Sequence, residues 1–219
     1  MEPSSFLNEL WMARSALGAG LICTIGVSAA AISGGTLLGL LLGVSLAEGP
    51  MPLRFVCRAY VDLLRGTPVL VLVLAAFYVP STFGLNLDAL SAGILALTLF
   101  CGAHVGEIVR GALQSIPPGQ TEAGRSIGLT YPQILAYVLL PQAFRAILPT
   151  WINTGAELVK ASSLLSIIGV GDVLLKVQEI IGRNFLSLDF YMLAGACYLA
   201  INFAIEQFGK AAERRLAPQ

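Results

Sequence analysis

Long runs of residues without charge are the feature that most restricts what this chain can fold into. A helix needs about 20 mostly apolar residues to cross the roughly 30 Å hydrocarbon core of a bilayer. Hydrophobic residues make up 56% of the 219 residues and charged residues only 12%, which is more apolar surface than one soluble core can bury. We therefore expect an all-α integral membrane protein.

Charge-free runs define four membrane spans clearly, whereas one more, the fourth in chain order, is interrupted. Arg145 and Glu157 fall within this fourth span, and Pro141 and Pro149 disturb a regular helix. A helix over residues 140–160 leaves both charges near its ends, where they reach the interfaces. The sequence predicts one transmembrane domain over residues 1–219, with about five transmembrane helices at approximately 17–47, 66–84, 89–112, 140–160 and 188–209.

The first span is expected to remain in the mature protein and to pack tightly. Residues 1–20 contain Glu2, Glu9 and Arg14 and lack the basic start and cleavage site of a secretory signal peptide. Small residues let helices approach closely in lipid, which provides no hydrophobic drive for association. The span is rich in glycine, with Gly18, Gly20, Gly26, Gly34, Gly35, Gly39 and Gly43.

The distribution of basic residues predicts the orientation, because cytoplasmic loops carry an excess of Lys and Arg. Five spans place the two termini on opposite sides of the membrane. With the N-terminus outside, the residues inside or at the inner boundary are Arg54, Arg58, Arg65, Arg110, Arg125, Arg145, Lys210, Arg214 and Arg215. The residues outside are then Arg14, Lys160, Lys176 and Arg183. We predict N-terminus out and C-terminus in.

Several kinds of site have no sequence signature. Thirteen basic residues balance thirteen acidic ones, so no net field draws the chain to nucleic acid. The cysteines stand far apart and are interpreted as packing residues, with no metal site: Cys23, Cys57, Cys101 and Cys197. No G-x-x-x-x-G-K-[ST] loop occurs, so the chain is predicted to be non-catalytic and to bind no cofactor. Energy must come from a partner or a gradient.

The long connection over residues 111–141 has the features of a short helix. Pro117 and Pro118 break the chain, Thr121 can cap a new helix, and Glu122 suits its positive first turn. Gly128 is placed to end it. We predict a helix over residues 121–129.

This connection resembles the EAA loop of ABC-importer permeases. The likeness rests on Glu122-Ala123-Gly124, on Gly128 six residues after Glu122, and on Val138 and Leu140-Pro141. The family has a second alanine where this chain has Gly124, a loss of helix propensity of about 1 kcal/mol that leaves the helix more dependent on a partner. The resemblance implies that the loop docks into an ATPase, with Glu122, Ala123, Gly124 and Gly128 as coupling residues. The alternative is an ordinary amphipathic interfacial helix.

Further blocks resemble the polar amino-acid branch of that family, which includes histidine, glutamine and arginine permeases. They are Arg65-Gly66-Thr67-Pro68, residues 106–111 and 115–120, Asn153, Lys160, residues 162–164 and residues 168–170. The likeness implies a type I ABC-importer permease (MetI-like) fold in the bacterial plasma (inner) membrane. It also implies an ABC ATPase dimer that carries ATP-Mg, a second permease copy or paralogue, and an extracytoplasmic amino-acid-binding protein. The amino acid is left open, as is the choice between a homodimer and a heterodimer of permeases.

Ionisable residues on the third span have two interpretations. His104, Glu107 and Arg110 recur every three residues and share one helical face. Because charges at membrane depth commonly mark pathways, they are candidates for the translocation path or a gate. Alternatively, Glu107 and Arg110 form a local pair and a neighbouring helix satisfies His104.

The outer half of the fourth span carries a second polar set, Asn153, Glu157 and Lys160. These residues are candidate partners for the charged groups of an amino acid, and Glu157 favours a cationic one. An ion pair between Glu157 and Lys160 explains them equally well. The segment 162–173 that follows is too short to cross the membrane and is either re-entrant or interfacial, or an ordinary external loop.

Two other functions fit parts of the sequence. A gradient-driven secondary transporter or channel would use His104 and Glu107 to relay protons. A membrane assembly factor would use the loop to bind a partner and would have no solute path. The ABC-importer permease is the function that the ordered blocks favour.

Overall fold

The computed structural model describes residues 6–216, without the side chains of residues 213, 215 and 216. Glu2 and the side chain of Arg215, which entered the sequence argument, lie outside the described part. The fold is nearly all helical, as predicted. Its α-helices are α1 (Phe6–Glu48), α2 (Met51–Gly66), α3 (Val69–Thr82), α4 (Ala89–Gln114), α5 (Pro118–Ser126), α6 (Tyr131–Ile134), α7 (Leu140–Ala161), α8 (Val173–Asn184) and α9 (Ser187–Leu216).

Four helical stretches are each long and apolar enough to cross a membrane: Phe6–Glu48, Ala89–Gln114, Tyr131–Ile168 and Ser187–Ala212. A bent pair, α2 with α3, provides a fifth if it counts as one span. The span predicted over residues 66–84 contains α3, which meets α2 at a bend of 108°. Pro68 explains the bend, since a residue before proline avoids the helical region and Thr67 is extended.

The packing of α1 against α4 depends on glycine. A methyl group on Gly39 would lie 2.5 Å from the Cβ atom of Val105, and Gly35 and Gly43 face Cys101 and Val109 as closely. The contact is reciprocal, because Gly102 and Gly106 on α4 face leucines of α1. The close packing predicted for the first span is confirmed.

The fourth span is longer and less regular than residues 140–160. A π-helical segment, Leu135–Leu139, joins α6 to α7, and Pro141 stands in the first turn of α7. Proline lacks the N–H that continues the helical ladder, which accounts for the irregular turn directly before it. Pro149 lies within α7, where the helix continues through it.

The segment after the fourth span is buried rather than loose. A 3₁₀ helix, Ser162–Ile168, ends at Gly169 in the left-handed conformation (φ 88°). Leu165 is fully buried and lies against Gly93 of α4. This packing favours a re-entrant or interfacial element over an ordinary external loop. Helix α8, which follows it, was not predicted from the sequence.

Candidate coupling segment and transport site

The connection over residues 111–141, here called the coupling segment, contains helix α5. This helix starts earlier than predicted. It begins at Pro118, and Thr121 is not its N-cap: Pro117 holds that position with no side-chain hydrogen bond. Proline suits the first turn of a helix because its missing N–H is not needed there. The helix also ends earlier than predicted, at Ser126, but the role of Gly128 in ending it is supported, since Gly128 has φ +81° and the N–H of Leu129 donates to the carbonyl of Gly124 at 3.1 Å.

Gly124 is the buried residue of α5 and faces Ile134 of α6. A methyl group on Gly124 would lie 2.8 Å from Cγ1 of Ile134, which is itself fully buried. The glycine that departs from the usual second alanine therefore occupies the point where α5 packs on its neighbour.

Polar side-chain contacts hold α5 and α6 in place. The side chain of Gln142, in the first turn of α7, donates to Gln120 of α5 at 3.2 Å. Thr130 and Gln133 form a reciprocal capping box at the start of α6. The opposite face of α5 is exposed and carries Glu122, Ala123 and Arg125, with the exposed Ile127 just beyond its last turn. The segment thus presents a short, anchored surface to the outside.

Glu107 lies at the centre of an arginine cluster between α2 and α4. Its carboxylate lies 2.5 Å from Arg110, 3.1 Å from Arg58 and 4.0 Å from Arg65. The local pair with Arg110 is therefore present. Arg58 and Arg65 were not predicted as partners, although Arg54, Arg58, Asp62 and Arg65 are spaced along one face of a helix.

His104 is partly buried and hydrogen-bonds within its own helix. Its Nδ1 atom lies 3.0 Å from the carbonyl oxygen of Phe100, and the two rings are 4.3 Å apart. The structure brings His104 and Glu107 to one face of α4 but gives each a local partner. A role in the translocation path stays a prediction for both.

Asn153, Glu157 and Lys160 are exposed and lie on one stripe of α7, with Gln142 and Thr150 further along it. The opposite face of the helix is buried in the bundle. Glu157 and Lys160 form no ion pair with each other in the structure as described. Charged side chains in a spanning helix do not remain in contact with lipid, so this stripe faces water or another protein.

A polar contact at the other end of the bundle joins α8 to α9. The buried Asp172 caps α8 by accepting from the N–H of Leu175 at 2.8 Å, and the hydroxyl of Tyr198 donates to it at 3.0 Å. Burial raises the pKa of the Asp172 carboxyl, against hydrogen bonds that lower it. No sequence signal marked this contact.

Residues 35–218 match the family model described as the binding-protein-dependent transport system inner membrane component. The chain belongs to this family. Its location is therefore the inner membrane, and it is the permease component of a transport system that works with a binding protein.

Several relatives align with this permease over most of their length. The L-cystine transport system permease protein of Bacillus subtilis is 37% identical over 91% of this chain and 86% of the relative. The glutamine transport system permease protein of Escherichia coli K12 is 32% identical over 95% and 96%. The arginine transport system permease protein of B. subtilis is 32% identical over 90% of each chain.

Solved structures agree with this assignment. An amino acid ABC transporter crystallised with histidines matches with a TM-score of 0.88 and 31% identity, over 94% of this chain and 96% of the other. The MetNI methionine ABC transporter matches in fold, with a TM-score of 0.80 at 23% identity over 93% and 97%. The fold is that of type I ABC-importer permeases, as predicted. The matches support this class over the gradient-driven transporter or channel.

Proposed function

We propose that this permease imports amino acids across the plasma membrane and is driven by ATP that a partner protein hydrolyses. The observation that carries the proposal is the agreement of relatives across at least nine-tenths of this chain, whose names specify L-cystine, glutamine and arginine transport. The chain has no phosphate-binding loop of its own. ATP-Mg therefore belongs to a partner ATPase dimer, and the permease is non-catalytic.

The segment α5 transmits the movement of the ATPases to the spans. Gly124 and Gly128 shape the helix and its contact with α6, while Glu122 and Ala123 face outward to the partner. A short helix fixed to its neighbours and seated in a moving partner carries a rigid-body shift into both flanking spans. The cytoplasmic side is then the side of α5, which agrees with an N-terminus outside and a C-terminus inside.

The polar stripe of α7 faces a second permease, either a copy of this chain or a paralogue, across a water-filled path. Support comes from the contrast between the two faces of α7, one buried in the bundle and one exposed and polar. Transporter sites commonly lie near the bilayer midplane, at the interface between repeats. An extracytoplasmic amino-acid-binding protein delivers the solute to the far end of this path.

Within the stripe, Glu157 binds the cationic group of the substrate, with Asn153 and Lys160 beside it. The absence of an ion pair to Lys160 within the described chain leaves the carboxylate of Glu157 accessible. Such a carboxylate favours arginine, lysine or histidine over a neutral amino acid.

Reconstitution tests this proposal. The permease, its ATPase and its binding protein are placed in vesicles, and uptake of radiolabelled arginine, glutamine and cystine is measured with and without ATP. We expect uptake of at least one of these amino acids that requires all three proteins and ATP. Uptake that follows an ion gradient without the ATPase would contradict the proposal.

A further inference from the structure

A cavity of about 520 Å³ lies where α1 and α4 end and α2 begins. Three arginines line it, Arg54, Arg58 and Arg110, together with Gln114 at the end of α4. Because α5 starts only a few residues after Gln114, the cavity lies at the same end of the bundle as the coupling segment. It is separate from the exposed face of α5 and from the polar stripe of α7.

The cavity has more positive charge than its acidic neighbours balance. Glu107 shares one carboxylate among Arg58, Arg65 and Arg110, and Asp62 lies 3.7 Å from Arg58 with most of its side chain exposed. Arg54 makes no ion pair or side-chain hydrogen bond with any described residue. The three lining arginines and the neighbouring Arg65 thus share only two carboxylates, those of Glu107 and Asp62. An anion with several acceptor oxygens fits such a group of forked donors.

The rim of the cavity on the outer side of α2 is apolar. Met51 and Phe55 lie one helical turn apart, and 86% and 75% of their surfaces are exposed. Leu63 and Val56 extend the apolar surface along the same helix. In a chain that spans a bilayer, an exposed apolar face beside a basic face places a helix at the boundary between acyl chains and headgroups.

We infer that this cavity binds the headgroup phosphate of an anionic phospholipid. The phosphate accepts hydrogen bonds from Arg54, Arg58 and Arg110, and the acyl chains lie over Met51 and Phe55. Free phosphate is negatively charged like the headgroup but carries no acyl chains to cover the apolar rim. Basic pockets between spanning helices on the cytoplasmic side are suited to such headgroups. The site ties α2 to the lipid and does not depend on which solute is transported.

Competitive lipid retention tests the inference. The full-length chain in its assembled transporter is exposed to mixed micelles of phosphatidylglycerol and phosphatidylcholine, and the retained lipids are counted by mass spectrometry. We expect preferential retention of phosphatidylglycerol and about a five-fold loss of preference in Arg54→Gln, the effect of one basic residue near a membrane surface. Arg54→Lys should keep most of the preference. The matched control is Arg145→Gln, which removes an exposed arginine of α7 outside the cavity.

Two results, one from the arginine variants and one from competing phosphate, would overturn the inference. One is an equal loss of preference in Arg54→Gln and Arg145→Gln, which would indicate only general surface charge. The other is displacement of phosphatidylglycerol by inorganic phosphate at equal concentration, which would indicate a site for soluble anions. Phe55→Ala provides a second variant: it should weaken retention of phosphatidylglycerol, whereas unchanged retention would count against the lipid. The unfolding midpoint of each variant shows whether it is folded.

Discussion

Gly124 lies so close to Ile134 that a methyl group on Gly124 would be 2.8 Å from the Cγ1 atom of Ile134. This contact fixes α5 on α6, and the hydrogen bond between Gln142 and Gln120 fixes it on α7. The coupling segment and the fourth span therefore form one continuous body. We therefore expect a displacement of α5 to be carried into the span and not to be absorbed in a loose loop.

Gly124→Ala should weaken the packing of α5. The added methyl group raises helix propensity by about 1 kcal/mol, but overpacking against a buried side chain costs about 1–3 kcal/mol. We expect ATP-driven uptake to fall several-fold, measured in vesicles that contain the assembled transporter. Gly119→Ala is the control, because no atom of the described residues lies within 4 Å of a methyl group at Gly119 of the same helix. Equal effects of the two substitutions would show that the contact with Ile134 is unimportant.

The coupling segment was partly predictable from sequence. Gly128 identified the helix end because a left-handed residue after a helix is a local requirement that glycine meets. The helix start was misplaced at Thr121, since the favourable fit of Pro118 in a first turn competed with a side-chain cap. The close packing of Gly124 could not be predicted from the sequence. Its partner, Ile134, lies ten residues away and is brought close only by folding.

Gly39→Ala should destabilise the bundle. The new methyl group would lie 2.5 Å from Cβ of Val105, an atom that moves only with its backbone, so the overpacking costs about 1–3 kcal/mol or more. We expect a lower thermal unfolding midpoint of the purified protein in detergent. Gly26→Ala lies in the same helix, and no atom of the part that the structure describes is within 4 Å of the added group, so it should leave the midpoint unchanged or raise it. A midpoint for Gly39→Ala equal to that of the wild type would contradict the close packing.

The fold was predictable from sequence where a membrane span is one long apolar helix. The runs that form α1, α4 and α9 are long and apolar, so hydropathy alone located them. The bend between α2 and α3 follows from Pro68, and the burial of the 3₁₀ helix Ser162–Ile168 depends on packing against α4; hydropathy reports neither. Helix α8 is amphipathic and short, and no charge-free run marks it.

Asp172 should make the stability of the protein depend on pH. Burial raises the pKa of its carboxyl above the usual value of 3.8, so its stabilising effect is fully present below about pH 4 and is lost as pH rises through the raised pKa. Relative to Asp172→Asn, the wild-type protein should therefore lose stability as pH rises, measured as unfolding midpoints across a pH series.

Asp88 provides a control with the opposite sign. Hydrogen bonds from the side chain and the backbone N–H of Ser91 lower the pKa of this helix-capping carboxyl. Its contribution is present above about pH 4 and is lost as pH falls through the lowered pKa. Wild type compared with Asp88→Asn should lose stability on acidification. Loss of stability on acidification in both comparisons would refute the raised pKa of Asp172.

Glu157→Gln should change substrate preference. If the carboxylate binds a cationic group on the substrate, its neutralisation lowers uptake of arginine or lysine at least about ten-fold, the loss of one charge-assisted hydrogen bond of about 1.5–3 kcal/mol. Uptake of neutral amino acids should change little. Glu206→Gln on α9, where Lys210 lies 3.8 Å away and both side chains are exposed, controls for the loss of charge. Unchanged preference in Glu157→Gln would remove Glu157 from the substrate path.

The most direct test of coupling through α5 is ATP-driven uptake by Ala123→Trp in reconstituted vesicles. Ala123 is exposed, so a bulky side chain there fits the folded permease but obstructs a partner seated on the helix. We predict an unchanged unfolding midpoint and at least about a ten-fold loss of uptake, whereas Ala59→Trp, at an exposed alanine of α2, retains uptake. Full uptake by Ala123→Trp would contradict the account.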